Sequence, residues 1–125
     1  MSDQSFSKKI DCLSIEEIGS NASKYDFLIG EGEFVELEYK AFRDIAVFTN
    51  KKLILMDVQG ITGSKKEWLI LPYSKCTAFS VESAGTFDLD AEIKIWASGI
   101  GLVELELVKG NDVRQVAAML VNYIG

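Results

Sequence analysis

The stretch 102–124, LVELELVKGNDVRQVAAMLVNYI, decides the fold because its apolar residues change period from two to about 3.6. Over 102–108 apolar residues alternate with glutamates, which predicts a strand with one buried face. Gly110 and Asn111 then form a turn, and Asp112 is placed to cap a helix. The apolar residues that follow recur at helical spacing and form one stripe: Val113, Val116, Ala117, Leu120 and Ile124. We expect a last strand followed by an amphipathic helix over 112–124.

Six further strand-like segments precede this stretch, separated by turns. Asn50-Lys51 is a two-residue turn, and Pro72 ends a strand because it cannot donate to a ladder. The predicted segments are 33–40, 44–49, 52–58, 65–71, 76–83 and 91–97. Seven antiparallel strands and one terminal helix predict a mainly β fold, a small barrel or bent sandwich closed at one end by the helix.

The N-terminal third has a different pattern. Ser14-Ile15-Glu16-Glu17 fits the capping box of a helix start, and Ile18 and Ala22 lie near its apolar face. We expect a short N-terminal helix with an irregular exit through Gly30-Glu31-Gly32. The chain is predicted to be a single domain, 1–125, with a helical lead-in over 1–32 and the barrel over 33–124.

Composition is that of a globular protein. The chain has 125 residues, of which 48% are hydrophobic and 26% charged, so it can bury one core. No apolar run approaches the ~20 residues that a bilayer requires, so we expect no transmembrane segment. The N-terminus has no apolar signal core either, which favours a cytoplasmic location.

Residues for catalysis or metal binding are scarce. The chain has no histidine, and its two cysteines, Cys12 and Cys76, are far apart in sequence. Neither a zinc site nor a Cys-His nucleophile can be assembled from these residues. We interpret both cysteines as small buried or half-buried residues. The sequence therefore predicts no enzyme, with no catalytic residue, no metal site and no cofactor.

The charge balance restricts possible partners. The net charge is −6, and the acidic residues are spread along the chain. Such a surface repels phosphate backbones and anionic head groups at long range, so we expect no nucleic-acid partner, and peripheral membrane contact is not favoured. Any anion-binding site must be local.

Three segments resemble the bacterial pleckstrin-homology-like domains. Residues 48–55, FTNKKLIL, are similar to that family's T-N-[KR]-[KR]-L strand-turn-strand signature. Residues 70–75, ILPYSK, are similar to its I-P-Y-S segment, and 81–85, VESAG, also match. The resemblance covers roughly 30–124. It implies a seven-stranded barrel closed by the C-terminal helix, a capacity to assemble into cyclic homo-oligomers, and no assigned activity.

The resemblance also implies a candidate anion site. Pleckstrin-homology domains that bind phosphoinositides use the pattern K-x(n)-[KR]-x-R, and Lys40 and Arg43 match its first two positions, whereas Ile45 occupies the third. Lys65 and Lys66 follow a loop that opens at the same end of this topology. The possible anion-binding residues are thus Lys40, Arg43, Lys65 and Lys66. Alternatively, these are solvated cations at turns and strand ends.

Strands that are apolar on both faces suggest self-association. A barrel buries one face of each strand, so a second apolar face must be covered by the N-terminal helix or by another subunit. Phe34 and Trp96 lie on otherwise charged faces, where aromatic residues are candidate partner contacts. The possible interface comprises Phe34, Ile54, Met56, Leu69, Leu71 and Trp96, and a charge at Met56 or Leu71 is predicted to give a soluble monomer.

The sequence thus predicts a non-enzymatic domain that self-associates, possibly in a ring, and acts as an oligomeric scaffold or interaction module. The alternative is weak binding of an anionic lipid or small anionic ligand at the Lys40/Arg43/Lys65/Lys66 loop end. Ring size, the identity of any ligand or protein partner, and the place where the N-terminal helix packs stay open.

Overall fold

A computed structural model describes residues 6–85 and 90–124 as one curved sheet with a C-terminal helix. The strands are β1 Ser7–Glu16, β2 Val35–Lys40, β3 Ile45–Thr49, β4 Lys52–Gln59, β5 Lys65–Pro72, β6 Cys76–Glu82, β7 Ala91–Ala97 and β8 Gly101–Leu107. The helix α1 is Val113–Tyr123, and short 3₁₀ helices occupy Ala22–Lys24, Asp26–Leu28 and Tyr73–Lys75.

The mainly β prediction with one C-terminal helix is confirmed. Strands β2 to β8 match the seven predicted segments to within two residues at each end. Helix α1 begins where predicted, because the Asp112 carboxylate accepts a hydrogen bond from the backbone N–H of Arg114 at 2.9 Å. The described residues contain eight strands, however, and the additional one is β1.

The N-terminal helix is where the prediction is wrong. Ser14 lies in β1, opposite Lys40 of β2, and does not begin a helix. A β-bulge at Asp11–Cys12, where Cys12 has φ +63°, shifts the register of β1 and obscures the period of two that identifies a strand. Between residue 6 and β2, helical structure is confined to the two short 3₁₀ helices within 17–34.

Strand β1 also changes the topology, because it lies between β2 and β8. The order across the sheet is β5-β4-β3-β2-β1-β8-β7-β6, and β1 pairs parallel with β8 and antiparallel with β2. The prediction that all strands pair antiparallel is therefore wrong for β1 and β8. Gly101 permits the close approach of β1 to β8, since a Cβ there would lie 2.3 Å from the carbonyl oxygen of Phe6.

The inner core shows that the sheet curls around one apolar interior. Leu55 of β4, Leu105 of β8 and Leu120 of α1 are all fully buried and belong to the same cluster. Residues from both halves of the sheet can share one cluster only if the sheet bends around it. Helix α1 packs against β6 and β7 at this interior.

A second apolar cluster, the outer cluster, lies on the other face of β3, β4 and β5. Its buried members are Tyr25, Ile45, Val47, Ile54 and Met56. The 17–34 segment covers this face and contributes Tyr25, together with half-buried Leu28 and Ile29. The second apolar face that the sequence contains is therefore covered within the chain.

This arrangement corrects most of the predicted interface. Ile54 and Met56 are 1% and 2% exposed beneath the 17–34 segment, and Leu71 is fully buried in the inner core. Leu69 is half-buried against the inner core. These four residues do not share a face either: the register pairs Ile54 with Ile70 and Met56 with Trp68, which puts Leu69 and Leu71 on the inner face. The loop between β4 and β5 interrupts the alternation of side chains between the two faces of the sheet. Even-numbered residues of β4 therefore lie on the same face as even-numbered residues of β5, not on the face of its odd-numbered residues.

The charged face of 33–40 on which Phe34 is predicted to lie is not fully exposed. A register shift between Val35 and Leu37 places Val35 in the outer cluster and Leu37 against the inner core. Glu38 lies on the outer side, where the 17–34 segment covers it, and is fully buried.

The remaining observations concern the cysteines, metal binding and membrane-spanning helices. Cys76 is half-buried, as predicted, whereas Cys12 is exposed at the β-bulge of β1. Within 6–85 and 90–124, no group of three or more His, Cys, Asp or Glu side chains could hold a metal ion. Across the same residues, α1 and the short helices include none with the length and apolar character needed to cross a bilayer.

Candidate functional site: a basic cavity beside the 17–34 segment

The turn between β3 and β4 fixes one end of the 17–34 segment. The Thr49 hydroxyl accepts hydrogen bonds from the backbone N–H groups of Lys51 and Lys52, both at 3.0 Å, which closes the turn. It also donates to the Glu33 carboxylate, which Lys52 approaches at 2.8 Å. Burial raises the pKa of Glu33, but hydrogen bonds from Gly30, Lys52 and Thr49 outweigh it and lower the pKa overall. The signature T-N-K-K thus anchors the segment to the barrel.

Glu38 fixes the other end. Its carboxylate accepts hydrogen bonds from the backbone N–H groups of Gly19 at 2.8 Å and Asn21 at 2.7 Å. The Asn21 amide donates at 2.8 Å, and the Tyr25 hydroxyl donates to the same carboxylate. Burial alone would raise the pKa of Glu38, but these hydrogen bonds together hold it below the ordinary value. The clamp places Lys24, between Asn21 and Tyr25, over the outer face of the sheet.

Four cations line one cavity next to this clamp, which we call the basic cavity. It is an open cavity of about 450 Å³ between the loop after β2, the loop after β4 and the 17–34 segment. The cationic residues that line it are Lys24, Lys40, Arg43 and Lys66. The fold thus brings together three of the four residues predicted for an anion site and adds one from the 17–34 segment.

Lys65, the fourth predicted residue, does not line the basic cavity. Lys65 and Lys66 pair with Gln59 and Val58 of β4, and alternation along β5 turns the two lysines to opposite faces of the sheet. Lys66 lies on the face of the outer cluster, whereas Lys65 is exposed on the other face.

None of the four cavity cations forms a salt bridge within the described part of the chain. Lys40 donates to the carbonyl oxygens of Ala41 and Phe42 at 3.2 and 3.1 Å. Arg43 donates to the carbonyl oxygens of Gly60 and Val58 at 2.9 and 3.3 Å, which ties the two loops together. Arg43 also interacts electrostatically with the Asp57 carboxylate, which offsets part of its charge. The carbonyl oxygens that Lys40 and Arg43 contact carry only partial charge, so the cavity keeps a net positive charge.

Four cations elsewhere in the fold form salt bridges with carboxylates: Lys8, Lys9, Lys52 and Arg114. Lys8 lies 2.7 Å from the Asp57 carboxylate and 2.6 Å from that of Glu67. Burial alone would lower the pKa of Lys8, but these two partners outweigh it and raise the pKa above the ordinary lysine value. On a chain of net charge −6, four cations that line one cavity without a salt bridge are a local concentration of positive charge.

Exposed apolar residues border the basic cavity. Phe42, in the loop after β2, is 90% exposed, and Ile61, in the loop after β4, is fully exposed. On the far side, Lys24, Met56 and Lys66 also line a second cavity with Phe27 and Trp68. No sequence pattern places Lys24 or Phe27 here, because the course of the 17–34 segment depends on its anchors on Glu38 and Thr49.

The two aromatic residues predicted for partner contact lie away from these cavities. Phe34 is 57% exposed just before β2, where its backbone N–H donates to the Asn50 side chain at 2.9 Å. Trp96 is half-buried on the outward face of β7, opposite Leu102 of β8. The structure does not bring Phe34 and Trp96 into one patch with the other four predicted interface residues.

The amino-acid sequence is similar to known proteins. The family model described as bacterial PH domain matches residues 4–124. The chain is 58% identical over 72 residues to the uncharacterized protein YjqA of Bacillus subtilis, but that alignment spans only 58% of either chain, less than two-thirds of the relative. It is 33% identical over 105 residues to the uncharacterized protein YozO of the same organism, covering 84% of this chain and 90% of YozO.

Solved structures resemble the whole fold. A DUF1696 family protein with a pleckstrin-homology domain from Shewanella loihica superposes with a TM-score of 0.81 at 39% identity, covering 93% of this chain and 100% of that one. A pleckstrin homology domain from Shewanella amazonensis gives a TM-score of 0.69 at 40% identity, over 88% and 90% of the two chains. These matches confirm the predicted family resemblance and the pleckstrin-homology-like fold.

Proposed function

Because this chain belongs to the bacterial PH domain family, we propose that it is a non-catalytic binding module that takes an anionic ligand in the basic cavity. One observation supports the proposal: four cations that form no salt bridge among the described residues converge on one cavity of a chain with net charge −6. Phosphate groups, with several acceptor oxygens and high charge, are the ligands that such a cluster attracts most strongly.

The chemistry of the cavity suits a ligand with several anionic oxygens. Arg43 already donates to two carbonyl groups, so it contributes mainly charge and loop geometry. Lys24 and Lys66 are exposed and can turn their ammonium groups toward a ligand, and each lysine acts as a compact point charge. Binding of this kind is sensitive to salt, because exposed charges are screened over about 8 Å at physiological ionic strength.

Replacing Lys40 and Lys66 together by alanine is expected to weaken the binding of inositol hexakisphosphate about 100-fold, since each lost charge-assisted hydrogen bond contributes roughly 1.5 kcal/mol or more. Isothermal titration calorimetry at two salt concentrations measures the effect. The matched control replaces Lys75 and Lys109, two exposed lysines outside the cavity, and should bind like the wild type. Equal loss in both double variants would show that the ligand responds to net charge alone.

A second candidate function is self-association as an oligomeric scaffold. Two surface features favour it: Phe34 is 57% exposed, and β6 ends the sheet with mostly exposed residues that carry no charge before Glu82. An uncharged edge strand can pair with another chain, and an aromatic residue supplies contact area. We infer that an assembly would use these surfaces, because Ile54, Met56 and Leu71 are inside the chain.

The scaffold proposal predicts a solution mass that is a stable multiple of 13.9 kDa, measured by light scattering coupled to size exclusion at two protein concentrations. Phe34→Ser should lower that mass without altering the circular dichroism spectrum, because Phe34 is largely exposed. A wild-type mass of one chain at both concentrations would rule out self-association, and an unchanged mass in the variant would remove Phe34 from the interface.

A further inference from the structure

The basic cavity adjoins a second one, which we call the aromatic cavity. It has a volume of about 400 Å³ and is lined by Ser23, Lys24, Phe27, Met56, Lys66 and Trp68. Three of these residues, Lys24, Met56 and Lys66, also line the basic cavity. The two cavities are therefore neighbours on the outer face of β4 and β5, and we call them together the groove.

The aromatic cavity has apolar walls. Phe27 meets Trp68 edge to face, with ring centroids 5.2 Å apart and the planes at 87°. The Trp68 indole N–H donates to the carbonyl oxygen of Lys24 at 3.0 Å, so the polar atom of that ring already has a partner. Met56 is buried at the base of the cavity, while Phe27 is 64% exposed at its side.

Folding uses only part of the Phe27 ring, through its contact with Trp68. Phe27 lies on a segment already anchored by Glu38 and Glu33, and its neighbour Leu28 supplies the contact with the outer cluster. A phenylalanine that is 64% exposed adds little to core burial, yet it forms one wall of a cavity beside two lysines. Exposed apolar surface next to a concentrated charge of one sign suits a ligand that has both characters.

We propose that the groove binds a phosphate-bearing amphiphile as a dispersed monomer, with the anionic head in the basic cavity and a short apolar chain in the aromatic cavity, against Phe27 and Trp68. The inference rests on the proposed anion binding and deepens it by naming the class of ligand. Charge complementarity supplies the orientation: the head is drawn to Lys40, Arg43 and Lys66, and the chain then lies along the apolar walls.

The test is a series of inorganic phosphate, butyl phosphate, hexyl phosphate and octyl phosphate, each kept below its aggregation concentration. ¹⁵N NMR of the full chain provides the readout, since the two tryptophans, Trp68 and Trp96, give separate indole N–H signals. The dissociation constant should fall about threefold to fourfold for each methylene group that is buried. The Trp68 signal should move during the octyl phosphate titration, and the Trp96 signal should stay in place.

Two variants test the aromatic cavity and the basic cavity independently. Phe27→Ser should abolish the dependence on chain length and leave the binding of inorganic phosphate unchanged. The matched control is Ile18→Ser, because Ile18 is 55% exposed on the same segment and lines neither cavity; it should behave like the wild type. The Lys40→Ala, Lys66→Ala double variant should weaken every member of the series by the same factor.

Each adverse outcome identifies which proposal fails. Inorganic phosphate that binds as tightly as octyl phosphate overturns the amphiphile inference and leaves anion binding intact. A chain-length dependence that survives Phe27→Ser, or that leaves the Trp68 signal unmoved, also overturns it. Octyl phosphate affinity that is indifferent to the lysine variant overturns anion binding, and absence of binding by every probe overturns both. If the mass of the protein in solution doubles when octyl phosphate is added, the aromatic cavity is assigned to contact with a second copy of the chain, which overturns the amphiphile inference.

Discussion

Ile54→Asp is expected to unfold most of the protein at room temperature. Ile54 is 1% exposed between the sheet and the 17–34 segment, among the apolar side chains of the outer cluster. An aspartate there loses the apolar contacts and must either bury an unpaired charge or open the segment, at a cost of about 5 kcal/mol or more. That is comparable to the whole stability of a small domain. Urea denaturation followed by circular dichroism measures it.

Ile54→Asp also tests whether Ile54 is buried within the chain or lies in an interface with a second subunit. If the face of Ile54 contacted a second subunit rather than the 17–34 segment, Ile54→Asp would give a folded monomer of undiminished stability. The conservative control, Ile54→Val, should cost only about 1 kcal/mol because it removes one methylene group without adding charge. A folded, soluble Ile54→Asp monomer would therefore contradict the placement of the 17–34 segment.

Glu38→Gln is expected to destabilise the protein by about 4 kcal/mol. The Glu38 carboxylate is fully buried and accepts hydrogen bonds from two backbone N–H groups, the Asn21 amide and the Tyr25 hydroxyl. A glutamine has only one acceptor oxygen, and its NH₂ group faces donors, so buried donors lose their partner. Thermal unfolding and native-state hydrogen exchange at the Gly19 and Asn21 amides measure the loss.

Acidic pH should reduce the difference in the free energy of unfolding between the wild type and Glu38→Gln. Because the folded pKa of Glu38 is lowered, its contribution is complete above the unfolded glutamate pKa of about 4.3 and is lost as pH falls through the folded pKa. The variant lacks this group, so the two stabilities should converge below about pH 4. Glu17→Gln, an exposed control on the same segment, should follow the wild type at every pH. A constant difference across this range would contradict the assigned hydrogen bonds.

Local patterns were sufficient for the part of the fold that follows residue 34. Strands β2 to β8 were identified from alternation and turn residues, and α1 was identified from its apolar stripe and its Asp112 cap. The type and approximate bounds of these elements follow from residues within a few positions along the chain. The T-N-K-K turn belongs to the same class, because Thr49 closes it with hydrogen bonds to residues two and three positions later.

The N-terminal third could not be determined this way. A bulge at Cys12 breaks the alternation of β1, and the partners of β1 lie far along the chain, in β8. The serine and glutamate of an apparent capping box are equally compatible with a strand, so the local signal favoured the wrong element. Only long-range pairing distinguishes the two conformations.

The candidate site shows the same division. The sequence by itself determined that the chain carries an excess of acid, no histidine, and cations clustered in the loops after β2 and β4. Tertiary structure decided which of those cations lie together. Alternation in β5 places Lys65 and Lys66 on opposite faces of the sheet. The hydrogen bonds of the buried Glu38 carboxylate hold the 17–34 segment so that Lys24 and Phe27 line the groove. The physical reason is that composition and period are local properties, whereas register and the covering of a sheet face depend on contacts between residues distant in the chain.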